Sequence, residues 1–207
     1  MIRYKTKDSK TLFSIIKNRR DVRGNRFNSK KVSKKKLKKI LKAGILAPSV
    51  GYSQPWQFVV IKSKKTKKKI YKDFKKEYKK SKKYFENPLY EKLKLEGIKE
   101  APINIAVFYK QSSKKILGQT SQHQMGEYSV VCAVQNLWLM ARSLNIAVGW
   151  VSILNPKRVK EILNITDRYK LVAYLCVGYS DEFLDEPELK KLKWEREKSL
   201  DEVVCWR

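Results

Sequence analysis

Apolar residues recur with helical spacing in several parts of the chain. Leu37, Ile40 and Leu41 follow the i, i+3, i+4 pattern of a half-buried helix, and Ser33 stands before them as a suitable N-cap. Pro48 ends this helix, because proline disfavours helical geometry in the residue before it. The predicted helices cover 11–18, 34–46, about 66–80, 90–99, 125–144 and 157–163, with an irregular break over 81–92. Asn155 and Pro156 supply an N-cap and a first-turn proline for the last of these helices.

Short apolar runs between these helices predict four strands. The runs are rich in β-branched and aromatic residues, which suit a pleated and half-buried surface. They cover 57–62, 103–109, 147–153 and 171–178. Strands interleaved with helices predict the α+β class. No repeat or low-complexity linker divides the 207 residues, so we expect a single domain over residues 1–207.

The segment 125–144 differs from the other predicted helices because it is apolar nearly all round. A helix of this kind has both faces buried. A chain of this size rarely surrounds a helix by itself. The segment therefore predicts the interface of a homodimer.

The composition disfavours several classes of protein. Residues 1–10 are polar and charged, so we expect no secretory signal, and no apolar run reaches the roughly 18 residues of a membrane-spanning helix. The three cysteines lie far apart and do not suggest a disulfide framework. We therefore expect a cytoplasmic protein without a membrane partner. The single histidine, His123, has no second His or Cys at ligand spacing, so no metal site is expected.

A formal net charge of +28 raises the question of nucleic-acid binding. However, the lysines are spread over most of the chain and fall mainly on the polar faces of predicted helices. That distribution is typical of a solvated lysine surface, which affects nonspecific adhesion and not the fold. We therefore expect no nucleic-acid partner.

Arginine is rare in this chain and concentrated at one place. Four of the ten arginines fall within eight residues, at positions 19, 20, 23 and 26. A guanidinium group is a planar fork of donors suited to bidentate phosphate binding, which a lysine ammonium is not. Residues 47–56 are turn formers and small side chains, which allow a flat ligand to approach backbone amides. The two segments predict a site for a flat, phosphorylated cofactor.

Each of these features also has a purely structural alternative. The arginines would suit a helix end, where the dipole favours cations, with Asp21 as an ion-pair partner. The 47–56 segment would serve as an ordinary helix-to-strand connection, and Ser152 as a small residue in a buried strand. Other chemistries have no local motif, because the sequence contains no GxGxxG, GxxxxGK[ST] or GxSxG.

Several short segments, in order, resemble the nitroreductase-like flavoproteins. They include Arg-Arg-Asp-Val-Arg at 19–23, Ala-Pro-Ser-Val-Gly at 47–51, Gln-Pro-Trp at 54–56, Gly-Trp-Val-Ser-Ile at 149–153 and Tyr-Leu-Cys-Val-Gly-Tyr at 174–179. The resemblance extends from about residue 12 to residue 205, nearly the whole chain. It implies a nitroreductase-like fold with a central mixed or antiparallel sheet flanked by helices. It also implies an intertwined homodimer with FMN at the subunit interface.

The resemblance also implies which residues contact FMN. The arginine segment would hold the phosphate and ribityl chain, the 47–55 loop would line the isoalloxazine ring, and residues 149–152 would approach from the other side. A lid over 74–100 and an extended tail over 180–207 would contribute further contacts. In the tail, Arg196 stands one position away from the basic residue of the family pattern. The implied flavin contacts are Arg19, Arg20, Asp21, Val22, Arg23, Pro48, Ser49, Gly51, Ser53, Gln54, Pro55, Leu93, Lys99, Gly149, Val151, Ser152 and Arg196.

Asp21 separates the branches of this family. Reductases of the family usually carry a small hydroxyl residue at this position, and a carboxylate beside a phosphate is electrostatically unfavourable unless it has a role. We expect the flanking arginines to keep Asp21 ionised, as a general base requires. The resemblance implies that reduced FMN and O₂ are consumed and that the flavin fragments to 5,6-dimethylbenzimidazole, the lower ligand of cobalamin, and a four-carbon sugar phosphate. Asp21 would move protons on the ribityl chain, and Ser152 would assist proton transfer near flavin N5.

Two alternatives to this activity remain. One is an NAD(P)H-dependent FMN reductase acting on nitroaromatics or quinones, which rapid flavin bleaching by NADPH would identify. The other is a basic scaffold or nucleic-acid protein that has the fold without the chemistry and does not bind FMN. In the preferred interpretation a separate flavin reductase supplies the reduced FMN.

Overall fold

The computed structural model describes residues 2–207, which form seven α-helices and one sheet of four strands. The helices are α1 (Thr6–Lys17), α2 (Lys34–Ile45), α3 (Lys64–Ser81), α4 (Leu89–Lys92), α5 (Met125–Ser143), α6 (Pro156–Leu163) and α7 (Glu188–Lys191). The strands are β1 (Trp56–Ile61), β2 (Ile103–Lys110), β3 (Ala147–Trp150) and β4 (Tyr169–Gly178). The α+β class and the four predicted strands are confirmed.

The sheet has the order β1-β2-β4-β3, and every neighbouring pair is antiparallel. Alternate residues of β2 point to opposite faces, so Ile105 and Val107 pack with α5 while Ala106 and Phe108 pack on the α3 side. Both faces of the sheet are therefore covered, by α2 and α5 on one side and by α3 and α6 on the other. This arrangement leaves β1 and β3 as the two edges; predicted site residues lie in the loop just before β1 and within and just after β3.

Two of the predicted helix starts have the expected caps. The Ser33 Oγ accepts a hydrogen bond from the Lys36 amide at 3.3 Å, which satisfies one free N–H at the start of α2. The Asn155 Oδ1 accepts from the Lys157 amide at 3.0 Å, and Pro156 occupies the first turn of α6.

The predicted helix over 90–99 is wrong beyond residue 92. Leu93 has an extended backbone, and the chain then follows an irregular path. The Glu96 carbonyl accepts the Gly24 amide at 2.8 Å, and Gly97 lies against the ring of Phe27. One backbone hydrogen bond and one ring contact therefore join this stretch to the 24–27 segment, and these tertiary contacts override the local helical pattern.

The prediction that both faces of α5 are buried does not hold within one subunit. One face packs on the sheet, but Tyr128, Val131 and Cys132 form a stripe that is exposed. The apolar side chains of Phe13 and Ile16 on α1 are exposed as well, and α1 buries none of its residues. Apolar faces of this kind mark interaction surfaces, so the homodimer stays a prediction that this surface supports.

Among residues 2–207, none of the helices combines the length and apolar character needed to cross a membrane. The same part of the chain holds no group of three or more His, Cys, Asp and Glu side chains arranged to bind a metal ion.

Candidate flavin site

The arginine segment runs along the outer side of the edge strand β3. Asp21 forms a parallel bridge with Val148, and the Val22 amide donates to the Val148 carbonyl at 3.0 Å. A Cβ on Gly149 would collide with the Val22 carbonyl oxygen, so this close approach requires glycine. The structure therefore brings together the 19–23 and 149–152 segments that the sequence associated with one site.

The Asp21 carboxylate is held on two sides. Its Oδ1 accepts the Trp150 amide at 2.8 Å, and its Oδ2 lies 3.0 Å from the Arg23 Nη2. Burial raises the pKa of Asp21 above its usual value, although Arg23 and the Trp150 amide act in the opposite direction. Arg19 and Arg23 thus favour the ionised form, as the sequence predicts, but burial has the larger effect on this pKa. A carboxyl with a raised pKa is a better proton acceptor near neutral pH.

Arg20 anchors the C-terminal tail and is nearly buried, with 9% of its surface exposed. Its Nε donates to the Leu184 carbonyl at 2.9 Å, its Nη2 donates to the Asp185 carbonyl, and its Nη1 donates to the carbonyls of Lys17 and Arg19. All three nitrogens are thus engaged with backbone oxygens. Arg20 lines the arginine cavity, but the guanidinium that the sequence assigned to a phosphate holds the tail through these bonds.

Arg19 is the arginine of this segment whose guanidinium stays available. Its Cζ lies 4.7 Å from the ring centroid of Trp138, and it forms no ion pair within residues 2–207. A guanidinium stacked on an indole keeps its donor edges free for an anion. Arg19 is therefore the cation with free donors that an incoming phosphate would meet first, whereas Arg23 is shared with the Asp21 and Glu188 carboxylates.

These side chains line a cavity of about 170 Å³ between the arginine segment and the tail. Residues 19–23 and Arg26 form one wall, and five residues between Glu182 and Leu189 form the other. Sites that enclose a drug-sized ligand measure about 300–1,000 Å³. The cavity therefore suits the phosphate end of a nucleotide, and the ring must find its contacts elsewhere.

The loop that the sequence assigned to the isoalloxazine ring is a tight turn held by internal hydrogen bonds. Gly51 has a φ of 53°, and a Cβ there would meet the Leu117 carbonyl. The Ser49 Oγ accepts the Gln54 amide at 3.1 Å. The Ser53 Oγ is buried and has no hydrogen-bond partner within the described chain, an unpaired group that a ligand would satisfy. Pro48 and Pro55 flank this turn.

The loop and the arginine segment lie at diagonally opposite corners of the sheet. Trp56, which follows the loop, pairs through β2 with the start of β4, whereas Gly149 pairs with Cys176 near the end of β4. Six residues along β4 correspond to about 20 Å, and three strand spacings correspond to about 14 Å. One subunit therefore cannot bring both segments to the same ring.

The remaining predicted contacts occupy different positions. Val151 is buried and donates to the Tyr174 carbonyl at 2.9 Å, and Ser152 is exposed just beyond the end of β3. Leu93 is half-buried and does not line the arginine cavity. The Lys99 Nζ lies 4.2 Å from the ring centroid of Tyr71, on the α3 side, and also outside that cavity.

Arg196 is not at the arginine cavity. Its guanidinium pairs with the Glu202 carboxylate within the tail, and the side chain is 67% exposed. The prediction that it replaces a phosphate contact of the family is not supported by this position. The ion pair with Glu202 instead keeps the Arg196 side chain within the tail.

The acidic part of the tail is the feature that sequence reasoning missed. The Glu188 carboxylate lies 2.7 Å from the Arg26 Nη1 and 3.6 Å from the Arg23 Nε. Glu182 lies 3.8 Å from the Arg26 Nε. A signal was present, since five of the chain's 20 acidic residues fall within 181–188. In so basic a chain this concentration indicates a partner for the arginines.

The comparisons with known proteins agree with this architecture. The sequence model of the nitroreductase family matches residues 16–179 of this chain. The chain therefore belongs to the nitroreductase family. Within that family it is 36% identical to the 5,6-dimethylbenzimidazole synthase of Rhodospirillum rubrum, over 89% of each chain.

Two solved structures share the fold at lower identity. An iodotyrosine deiodinase bound to FMN and 3-iodo-L-tyrosine has a TM-score of 0.75 at 23% identity, covering 95% of this chain and 98% of that one. A BluB-like flavoprotein from Clostridium difficile 630 has a TM-score of 0.73 at 21% identity, again covering 95% and 98%. These likenesses confirm the nitroreductase-like fold.

Proposed function

We propose that this protein is a 5,6-dimethylbenzimidazole synthase that fragments reduced FMN with O₂, releasing the benzimidazole and a four-carbon sugar phosphate. The similarity to the synthase of Rhodospirillum rubrum over most of both chains supports this activity. The observation that carries it within the site is the Asp21 carboxylate, which is fixed by the Trp150 amide at the wall of a cavity lined with arginines.

The residues of the cavity have distinct tasks in this proposal. Arg19 and Arg23 bind the phosphate and the ribityl chain through charge-assisted hydrogen bonds. Asp21 accepts a proton from the ribityl chain, for which its raised pKa suits it. Ser152, three residues beyond Gly149 and exposed just after the end of β3, donates a hydrogen bond near flavin N5. FMN bound here supplies the ring system that reacts with O₂.

A second copy of the chain completes the site. The 47–55 loop is too far from residues 149–152 to line the same ring within one subunit, and the cavity is too small to enclose a nucleotide. The exposed stripe of Tyr128, Val131 and Cys132 on α5 gives the two subunits an apolar surface on which to pack. The 47–55 loop of one subunit then lines the isoalloxazine ring of an FMN molecule whose phosphate is bound by the other subunit.

The reduced FMN comes from a separate flavin reductase in this proposal. The alternative is an FMN reductase that oxidises NAD(P)H itself, which the match to the nitroreductase family allows at the level of the family. The two activities differ in what they consume, since the synthase destroys its flavin and the reductase recycles it.

The experiment is an aerobic incubation of the purified protein with chemically reduced FMN, followed by mass spectrometry for 5,6-dimethylbenzimidazole. The synthase gives product that depends on O₂, and an anaerobic sample gives none. Stopped-flow mixing of the FMN complex with NADPH is the matched experiment for the alternative. Rapid bleaching of the flavin by NADPH, together with no benzimidazole from reduced FMN, would show that the protein is a reductase and not a synthase.

A further inference from the structure

Glu188 lies in the wall of the arginine cavity and contacts two of its cations. Its side chain is only 17% exposed. Its Oε1 lies 2.7 Å from the Arg26 Nη1, and its Oε2 lies 3.6 Å from the Arg23 Nε. A carboxylate placed this deeply among guanidinium groups exerts a larger electrostatic effect than a surface ion pair does.

Arg23 is shared between two carboxylates that meet different nitrogens of its guanidinium. Its Nη2 lies 3.0 Å from the Asp21 Oδ2, and its Nε side faces Glu188. Nε and Nη2 donate along the same edge of the planar fork, so a carboxylate beside Nε leaves Asp21 paired through Nη2 alone. The tail carries Glu188 to this place, because Arg20 binds the carbonyls of Leu184 and Asp185 just before it.

The charged and titratable groups around Asp21 come from each element packed against it. Its own segment supplies Arg19 and Arg23, and the tail supplies Glu188. From β4, the buried Cys176 faces it; the pKa of that thiol is raised, mainly by burial and in part by Asp21. The edge strand β3 contributes no charge, only the Trp150 amide.

We propose that Glu188 is a positioning residue that acts on Asp21 through Arg23. Its carboxylate lies beside the Arg23 Nε and offsets part of the guanidinium charge, so that the ion pair leaves Asp21 able to accept a proton. Glu188 touches neither the reacting atoms nor Asp21 itself. The inference rests on the proposed function only for the role of Asp21 as base, since the electrostatic relation among the three side chains is a property of the chain alone.

The test measures the ionisation of Asp21 directly. The chain has seven aspartates, so protein labelled with ¹³C at the aspartate carboxyl carbon gives few resonances, and the one missing in Asp21→Asn belongs to Asp21. Its titration is then followed in the wild type, Glu188→Gln, Glu188→Asp and Glu186→Gln. Glu186 is the matched control, because it is a tail glutamate two residues away whose carboxylate pairs with Lys190 at 3.8 Å.

Glu188→Gln is expected to lower the Asp21 titration midpoint by about half a pH unit or more, because a nearby like charge is lost and Arg23 becomes fully available to Asp21. Glu188→Asp keeps the charge and retains most of the wild-type midpoint, and Glu186→Gln leaves it unchanged. In turnover, the acid limb of kcat in Glu188→Gln moves in the same direction, and kcat falls more than KM changes.

A midpoint in Glu188→Gln that stays in place or rises would overturn the proposal, and so would an equal shift in Glu186→Gln. If the wild type forms no benzimidazole while the midpoint shifts as expected, only the proposed function fails. If the wild type forms benzimidazole while the midpoint stays in place, only the role of Glu188 fails.

Discussion

The Trp150 amide donates a 2.8 Å hydrogen bond to the Asp21 Oδ1 and fixes the candidate base to the edge of the sheet. This bond exists because Asp21 and Val22 run beside β3, where Gly149 leaves room for them. The base is therefore oriented by a backbone amide as well as by its ion pair with Arg23. An oriented base is what proton transfer from a bound substrate requires.

Asp21→Asn should abolish most benzimidazole formation while leaving the fold and FMN binding in place. The asparagine oxygen still accepts the Trp150 amide, but the amide cannot take a proton, and loss of a general base costs about 10²- to 10⁴-fold in rate. Turnover by mass spectrometry and flavin binding by fluorescence quenching measure the two effects. Asp181→Asn is the control, since Asp181 pairs only with Asn28 at the surface. Normal turnover in Asp21→Asn would exclude the base assignment.

The raised pKa of Asp21 predicts a pH dependence with a definite sign. Activity should fall as the pH drops through this pKa, because the protonated carboxyl is no base, and the limb should lie above the value of about 3.9 for an ordinary aspartate. A pKa that is higher in the folded than in the unfolded state means that the folded protein binds the proton more tightly. Asp21 therefore adds to the free energy of unfolding at low pH, and this contribution is lost as the pH rises through the raised pKa.

The same sign can be measured without turnover. The free energy of unfolding of Asp21→Asn, relative to the wild type, should increase as the pH rises from about 4 towards neutrality. Urea unfolding at a series of pH values gives this difference. A relative stability that decreases over this range would mean that Arg23 outweighs burial at Asp21.

Arg19 and Arg20 should respond differently to substitution by lysine. Arg20→Lys removes the fork that binds the tail carbonyls, so residues 180–207 should become more sensitive to limited proteolysis. Arg19→Lys leaves the tail in place but weakens FMN binding by about tenfold or more, as expected for a lost charge-assisted hydrogen bond. Equal effects of both variants on proteolysis and on FMN affinity would contradict this division of roles.

Gly149→Ala should destabilise the protein at the site itself. The added methyl group would press on the Val22 carbonyl, so either the 19–23 segment or β3 must shift, at a cost of about 1–3 kcal/mol. Urea unfolding measures the loss, and flavin binding should weaken with it. Ser152→Ala, three residues farther on at an exposed position, is the control and should leave the free energy of unfolding nearly unchanged.

The sequence predicted local features well where local chemistry decides them. The Ser33 cap, the Asn155-Pro156 start of α6 and the four apolar strands follow from short-range preferences. The helix over 90–99 failed because the backbone around Glu96 bonds to Gly24, a partner about 70 residues away that periodicity cannot show.

The division of the arginine segment could not be predicted for a similar reason. Spacing and composition identified Arg19, Arg20 and Arg23 as one group, and a guanidinium looks the same whether it binds a phosphate or a carbonyl. Only the position of the tail shows that Arg20 is engaged with backbone oxygens and that Glu188 occupies one side of Arg23. The tail's position depends on contacts more than 160 residues apart in sequence.

A site shared between subunits makes a prediction that a site within one subunit does not. Arg19→Ala removes the phosphate contact, and Gly51→Val disrupts the ring loop at a φ that valine does not tolerate, so each homodimer should fail to bind FMN.

In a mixed dimer, one of the two sites combines the intact Arg19 of one subunit with the intact loop of the other. Random mixing makes half of the dimers mixed, so about a quarter of the wild-type FMN sites should return. Co-expression with two different affinity tags isolates the mixed dimer, which should bind one FMN for every two subunits. If Arg19 and the loop served the same ring within one subunit, the mixed dimer would bind none.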